Sequence, residues 1–376
     1  MASSSIVTTT LSPKDNEEKI NESTDQVKKK YKRYIDFKVD GKLFPIWVLY
    51  NFKKYRLPEV KRDPNIDPCI TKGVSGKKEL RKYQEFIVKY LDYSGPYKNM
   101  LLYHGLGSGK TAISISVYNM LFNYTPGWNV FILIRAALKN DPWMQELNEW
   151  LEDDDKDVRY KNIRFVHYDS PFADRDFMDA VKDSDSSKKN FYIVDEAHNF
   201  IRNVFSNINS KSGRRALNIY NYIMQDTKEN DSTRIILISG TPAVNEPYEL
   251  ALIFNLLRPG SFPDSENKFN QKYVSVSTYS TINPLTKNKF IRRIIGLVSY
   301  YIGSTPDTFA TSDITKVDIP MEKYQYDVYK YYEEIEAKIE RNKKGKSSSK
   351  MYRSYTRQAC NFVFPAITQK INGESR

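Results

Sequence analysis

The chain has 376 residues, 58 Lys and Arg against 46 Asp and Glu, a net charge of +12 and a mean hydropathy of −0.62. Its longest purely apolar run, Phe44–Tyr50, is far short of the ~20 residues needed to span a bilayer, and the N-terminus shows no apolar core of a secretory signal. The two cysteines, Cys69 and Cys360, match no metal or redox spacing and read as reduced thiols of an intracellular protein.

The charge is uneven: +8 over residues 1–100, −3 over 101–260 and +7 beyond. Basic flanks around a near-neutral centre suit a phosphate-backbone partner, although a Lys-rich solvated surface has the same composition. Residues 1–33 lack apolar periodicity and read as a disordered basic tail, closed by Lys28-Lys29-Lys30-Tyr31-Lys32-Arg33. In the following extension, 34–78, Asp40-Gly41 is a turn signal that predicts a hairpin over 35–50. Pro58, Pro64 and Pro68 mark the rest of it as connecting loop.

From residue 79 helices and strands alternate. Leu80, Tyr83, Ile87 and Leu91 have helical spacing. Short apolar runs at 99–104, 129–134, 163–167, 191–194 and 234–239 predict buried parallel strands. Right-handed crossovers would build these into an α/β, doubly wound parallel sheet. The segments Glu152–Asp157 and Asp183–Lys189 read as solvated connections. Past 262 the pattern weakens into an extension, 263–376, with an amphipathic helix expected over 322–341 and a polar linker over 342–350.

Three strand ends carry chemistry. After the first stands His104-Gly105-Leu106-Gly107-Ser108-Gly109-Lys110-Thr111. Glycines let backbone N–H groups converge on phosphate oxygens, and the helix that follows adds its dipole. Lys110 would neutralise the β- and γ-phosphates of ATP and Thr111 would ligate Mg²⁺. His104 stands where the general pattern of this loop has glycine. After the fourth strand comes Asp195-Glu196-Ala197-His198, where Asp195 takes the metal and Glu196 orients and deprotonates the attacking water. After the fifth comes Ser239-Gly240-Thr241-Pro242, whose hydroxyls, with His198, can sense loss of the γ-phosphate. A fourth segment, Leu80-Arg81-Lys82-Tyr83-Gln84, offers Gln84 as a bidentate reader of adenine. A plain helix-surface glutamine fits the local sequence nearly as well.

These segments in this order resemble the first RecA-like domain of superfamily 2 helicases and translocases, with Ser-Gly-Thr-Pro and Asn245-Glu246-Pro247-Tyr248-Glu249-Leu250 similar to the Swi/Snf-type branch. His104, Asp141-Pro142-Trp143-Met144 and Asn255-Leu256-Leu257-Arg258-Pro259-Gly260 resemble the nucleoside triphosphatase I and early-transcription-factor ATPases of poxviruses and related large DNA viruses. The resemblance covers about residues 79–260, and more weakly Ser299–Ile302 and Cys360–Pro365. It implies a P-loop (RecA-like) domain over 79–262 that hydrolyses ATP with Mg²⁺ and acts on DNA or RNA, with Arg135 and Asn245 facing the nucleic-acid backbone. It implies service in viral transcription, a viral RNA polymerase as partner, and a place in the virion or host cytoplasm. His167 and Tyr168 read as core or sheet-end residues.

That family also carries a second domain whose Gln-x-x-Gly-Arg-x-x-Arg motif supplies arginine fingers, and no such string occurs here. Arg353 and Arg357 lack its glycine and order. The expectation is a fragment or half of a split motor, completed by a second domain in trans and weak in hydrolysis alone. The alternative is a non-catalytic half-motor that holds nucleotide or nucleic acid, or docks on a transcription complex. Nothing in the chain resembles the guanine-reading motif of a GTPase or the acceptor lid of a kinase.

Overall fold

The computed structural model describes residues 38–39, 41–57, 79–209, 213–243, 245–276, 280–301, 313–342 and 353–364. The tail 1–33 with its basic run, Asp40, Pro58, Pro64, Pro68, Cys69, Ile302, the linker over 343–350 and Pro365 lie outside the described residues. The chain divides into two compact units, Met1–Ala310 and Thr311–Arg376.

In the first unit, strands β1 (Lys38–Val39) and β2 (Lys42–Leu43) form a two-stranded antiparallel pair. The expected hairpin over 35–50 is therefore present only as a stub, because Phe44–Asn51 is helix α1. Pro45 sits in its first turn, where a missing N–H costs nothing. Trp47 is buried against Phe52, Tyr90 and Tyr97 at ring separations of 5.3, 6.4 and 5.6 Å. Burial of the indole outweighs the strand preference of the surrounding Ile, Val and Tyr.

Helix α2 (Lys82–Tyr90) leads to β3 (Asn99–His104), α3 (Lys110–Tyr124) and β4 (Trp128–Ile134). There follow α4 (Gln145–Trp150), α5 (Lys156–Lys161), β5 (Ile163–His167), α6 (Ala173–Lys182) and β6 (Lys189–Val194). Helices α7 (Ala197–Asn209) and α8 (Arg215–Glu229) precede β7 (Arg234–Ser239) and α9 (Tyr248–Leu257). Then come α10 (Glu266–Tyr273), the antiparallel pair β8 (Val274–Val276) and β9 (Ser280–Ile282), α11 (Lys287–Ile294) and β10 (Val298–Tyr301).

Six strands form one all-parallel sheet in the order β10-β3-β7-β6-β4-β5. Alternate residues feed opposite faces. Leu101, Phe131, Leu133, Tyr192, Val194, Ile235 and Leu237 pack with α7, α8 and α9 on one side. Met100, Leu102, Val130, Ile132, Ile134, Ile193, Ile236 and Ile238 pack with α2 and α3 on the other. A sheet buried on both faces needs apolar residues at every position, which is why its strands read as unbroken runs. The unit also runs past residue 262, where the sequence pattern ended it, because β10 adds an edge strand beside β3. That strand, Val298-Ser299-Tyr300-Tyr301, pairs on one side only and has no long apolar run to announce it.

In the second unit, helix α12 (Lys323–Asn342), one residue displaced from its expected span, packs on α13 (Ser354–Asn361). The buried Glu336 accepts hydrogen bonds from the Tyr355 and Thr356 backbone N–H groups at 3.0 and 3.3 Å and from the Thr356 hydroxyl. A carboxylate on the free N–H groups of a helix start is favourable to its charge, and these donors hold Glu336 below the usual carboxylate range against the opposing effect of its burial.

Candidate nucleotide site

In the sheet order β3, β7 and β6 are neighbours, so the phosphate loop, the Ser239 turn and the acidic turn emerge side by side at one edge. Residues far apart in sequence become one site because parallel strands all end on the same edge.

The loop bridges β3 and α3. Gly107 and Gly109 both have φ of +69°, a left-handed conformation open to glycine without steric cost. A Cβ on Gly109 would also overlap the side-chain nitrogen of Gln84. Ser108 is buried and its hydroxyl donates to the Gly105 carbonyl at 2.7 Å, while Leu106 projects outward. The Lys110 ammonium donates to the carbonyls of Gly105 and His104 at 3.0 and 3.2 Å. Burial lowers its pKa, and the Glu196 and Asp195 carboxylates oppose that shift. Thr111 occupies the first turn of α3, half-buried.

Gln84 is buried, which removes the helix-surface reading. Its Oε1 accepts from the Arg81 N–H at 2.7 Å, closing the first turn of α2, and its Nε2 donates to the Ser108 carbonyl at 3.0 Å. Tyr83 donates its hydroxyl to the same carbonyl at 2.9 Å. The amide keeps one N–H and one lone pair unspent. His104 is buried at the end of β3.

At the end of β6, Asp195 is almost fully buried and Glu196 adopts φ +46°, rare for a residue with a side chain and typical of functional turns. Asp195 Oδ1 accepts from the Glu196 N–H at 2.9 Å, and Oδ2 accepts from the Trp143 indole N–H at 2.7 Å. Tyr168 donates its hydroxyl to the Asp195 carbonyl at 3.2 Å. Burial raises the pKa of Asp195, with the Trp143 bond working the other way. Glu196 is raised by burial and then by the charge of Asp195, while Lys110 and Arg135 pull it down. His198 Nδ1 lies 3.0 Å from Ser239 Oγ and 3.2 Å from Glu196 Oε2. Burial and Arg202 keep its pKa low, so the ring is a neutral link between acidic turn and β7. Ser239 Oγ also accepts from the Thr241 N–H at 3.0 Å.

The other candidates stand at the rim. Arg135, at the end of β4, is exposed and lies 3.7 Å from the Asp169 carboxylate. Asn245 is exposed, with its N–H 3.4 Å from Glu249 Oε2. His167 is half-buried at the end of β5. Tyr168 is the sheet-end residue its position suggested, with the added task of holding the Asp195 carbonyl. Trp143 is the residue that reading by motif passes over. It sits in Asp141-Pro142-Trp143-Met144, a string with no chemistry of its own, yet its fully buried indole reaches the Asp195 carboxylate.

Trp143→Phe removes that donor and leaves a buried charged acceptor short of a partner, which costs about 1–3 kcal/mol. The expected outcome is a lower melting temperature and a Mg²⁺-dependent ATP affinity about tenfold weaker. Thermal denaturation with ATP titration checks it; affinity and melting both unchanged would show that the indole does not hold Asp195.

The family profile described as SNF2-related domain matches residues 83–363. A protein of Acanthamoeba polyphaga mimivirus named "Putative ATP-dependent RNA helicase R350" is 58% identical over 353 residues, covering 91% of this chain and 43% of that protein. The "Termination factor NPH-I homolog" of African swine fever virus is 26% identical over 321 residues, covering 80% of this chain and 42% of that protein. The chain thus spans less than half the length of these curated relatives. Among solved structures, the Sulfolobus solfataricus SWI2/SNF2 ATPase core in complex with dsDNA matches with TM-score 0.41 and 18% identity, covering 70% of this chain and 53% of that one. With its phosphate loop, acidic turn and β7 turn all inside the matched span, the chain belongs to the SNF2-related domain family of helicase motor domains.

Proposed function

We propose that this chain is the ATP-binding motor domain of a nucleic-acid-dependent ATPase. The observation that carries this reading is the convergence of Lys110, Asp195, Glu196 and Ser239 at the ends of three adjacent parallel strands. The loop N–H groups of Gly105–Thr111 and the Lys110 ammonium bind the β- and γ-phosphates. Gln84, with one donor and one acceptor left, faces the adenine edge.

The residues present fit a nucleotide-borne Mg²⁺. Such an ion takes one or two carboxylates and a hydroxyl, with phosphates and waters in its remaining positions; the Asp195 carboxylate and the Thr111 hydroxyl supply these. Bound there, the ion neutralises phosphate charge. Glu196 is the base that orients water and takes its proton, and the raised pKa of its carboxyl suits it to that task. His198, Ser239 and Thr241 pass the state of the γ-phosphate to the rim. Arg135 and Asn245 meet a nucleic-acid backbone there, aided by the basic flanks of the sequence.

The 376 residues hold no Gln-x-x-Gly-Arg-x-x-Arg string, and a second reading takes them as a half-motor that binds ATP and draws its arginine motif from elsewhere in the motor. An arginine finger contributes about 10³–10⁵ in rate where one operates. The chain alone is therefore expected to bind Mg-ATP and to hydrolyse it slowly, with little stimulation. Steady-state ATPase assays with and without single- and double-stranded DNA and RNA check this. Fast, nucleic-acid-stimulated turnover by the chain alone would overturn the half-motor, and failure to bind ATP would overturn both readings. A role in viral transcription is supported by the name of the African swine fever virus relative, a termination factor homologue.

A further inference from the structure

The edge strand β10 pairs with β3 in parallel, with Tyr301 opposite His104, and ties itself to the phosphate loop in three ways. The Gly105 N–H donates to the Tyr301 carbonyl at 2.9 Å, carrying the ladder one residue into the loop. Ser299 Oγ lies 2.8 Å from His104 Nε2. The Tyr301 ring stacks on Tyr83 with centroids 4.0 Å apart and planes 19° from parallel, and Tyr83 holds the Ser108 carbonyl. The loop is thus gripped at its start by β10 and further along through the tyrosine stack.

His104 makes the grip specific. Its Nδ1 is buried and has no partner among the described residues, so its side-chain hydrogen bonding rests on Ser299. Burial and the nearby Lys110 ammonium depress its pKa to about 4, so the ring is neutral and one nitrogen carries the hydrogen. The 2.8 Å contact with Ser299 Oγ pairs Nε2, the one ring nitrogen with a side-chain partner among the described residues. Without that hydroxyl both nitrogens of the buried ring are left unsatisfied, which destabilises the strand end carrying the loop.

We infer that Ser299 and Tyr301 are positioning residues for nucleotide binding, holding the phosphate loop in its receptive shape through His104, Gly105 and Tyr83. Strand β10 is the last described element of its unit. The inference rests on the reading that ATP binds at this loop.

The test is Mg-ATP titration of the full chain as wild type, Ser299→Ala, Ser299→Thr and Tyr301→Leu, with melting temperatures and ¹⁵N imidazole NMR of His104. Ser299→Ala is expected to weaken ATP about tenfold, the scale of one hydrogen bond. Its His104 Nε2 resonance should move, and Ser299→Thr should restore affinity to within about twofold, because the hydroxyl returns. Tyr301→Leu removes the stack but keeps the backbone bond, and is expected to weaken ATP by a smaller factor. Folded Ser299→Ala with wild-type affinity would overturn the inference. Should that variant not fold, wild-type affinity in folded Tyr301→Leu would do the same. Failure of the wild type to bind ATP would instead bring down the underlying reading.

Discussion

Lys110→Ala is expected to weaken Mg-ATP binding by about 10²–10⁴-fold, because it removes at least two charge-assisted hydrogen bonds worth about 1.5–3 kcal/mol each. The ammonium rests on the Gly105 and His104 carbonyls, within the loop proposed to hold the phosphates. The same change should leave the fold intact. Burial disfavours the charged form of Lys110, which offsets part of what the two loop carbonyls lose with their donor. Affinity by fluorescence titration and stability by thermal denaturation separate the two effects. ATP affinity within about threefold of wild type would place the phosphates elsewhere.

Glu196→Gln is expected to lower ATP turnover by about 10²–10⁴-fold, the usual contribution of a positioned base, while ATP binding stays near wild type. Glutamine keeps the shape and the hydrogen bonding but cannot take a proton. The pH dependence supplies an independent check. Burial, and then the negative charge of Asp195, raise the Glu196 pKa above its ordinary value, and the base works only when deprotonated. Turnover should therefore fall as the pH is lowered through that raised pKa; burial raises the pKa of Asp195 as well. The acid limb belongs to the pair rather than to either carboxylate. It should shift in the residual activity of Glu196→Gln, where Asp195 titrates without its neighbour. For folding stability the sign is the reverse: both groups bind protons more tightly folded than unfolded, so their contribution is greatest at acid pH and is lost as the pH rises through the raised pKa values. Single-turnover hydrolysis with protein in excess over ATP measures the chemistry despite a slow steady state. Turnover of Glu196→Gln close to wild type would remove the residue from the base role.

Much of the sheet was legible because a strand buried on both faces has no polar position to blur it. The runs ending at His104, Ile134, His167, Val194 and Ser239 end at those residues in the fold as well. Where the physics is one-sided, legibility fails. The run Phe44–Tyr50 looked like a strand because its residues favour strands, and only the aromatic pocket around Trp47 decides for helix. Pro45 at the helix start was a local sign in the other direction. Strand β10 is four residues with no apolar run and among the described residues pairs with β3 alone, so it looks like any short loop segment. Gln84 was open between surface and site, since helical spacing says nothing of what lies above the helix; the loop that covers it comes from β3.

The phosphate loop, the acidic turn and the Ser239 turn can be read without the fold, because each is a local demand on the backbone. Glycine is required where φ is positive, and a carboxylate or hydroxyl is required one step past a buried strand. The tertiary structure decided which partners those groups have. Trp143 meets Asp195 across 52 residues and Ser299 meets His104 across 195. A buried polar atom takes whatever donor or acceptor the sheet order brings to it, and strand order is a property of the packed sheet that no local periodicity records.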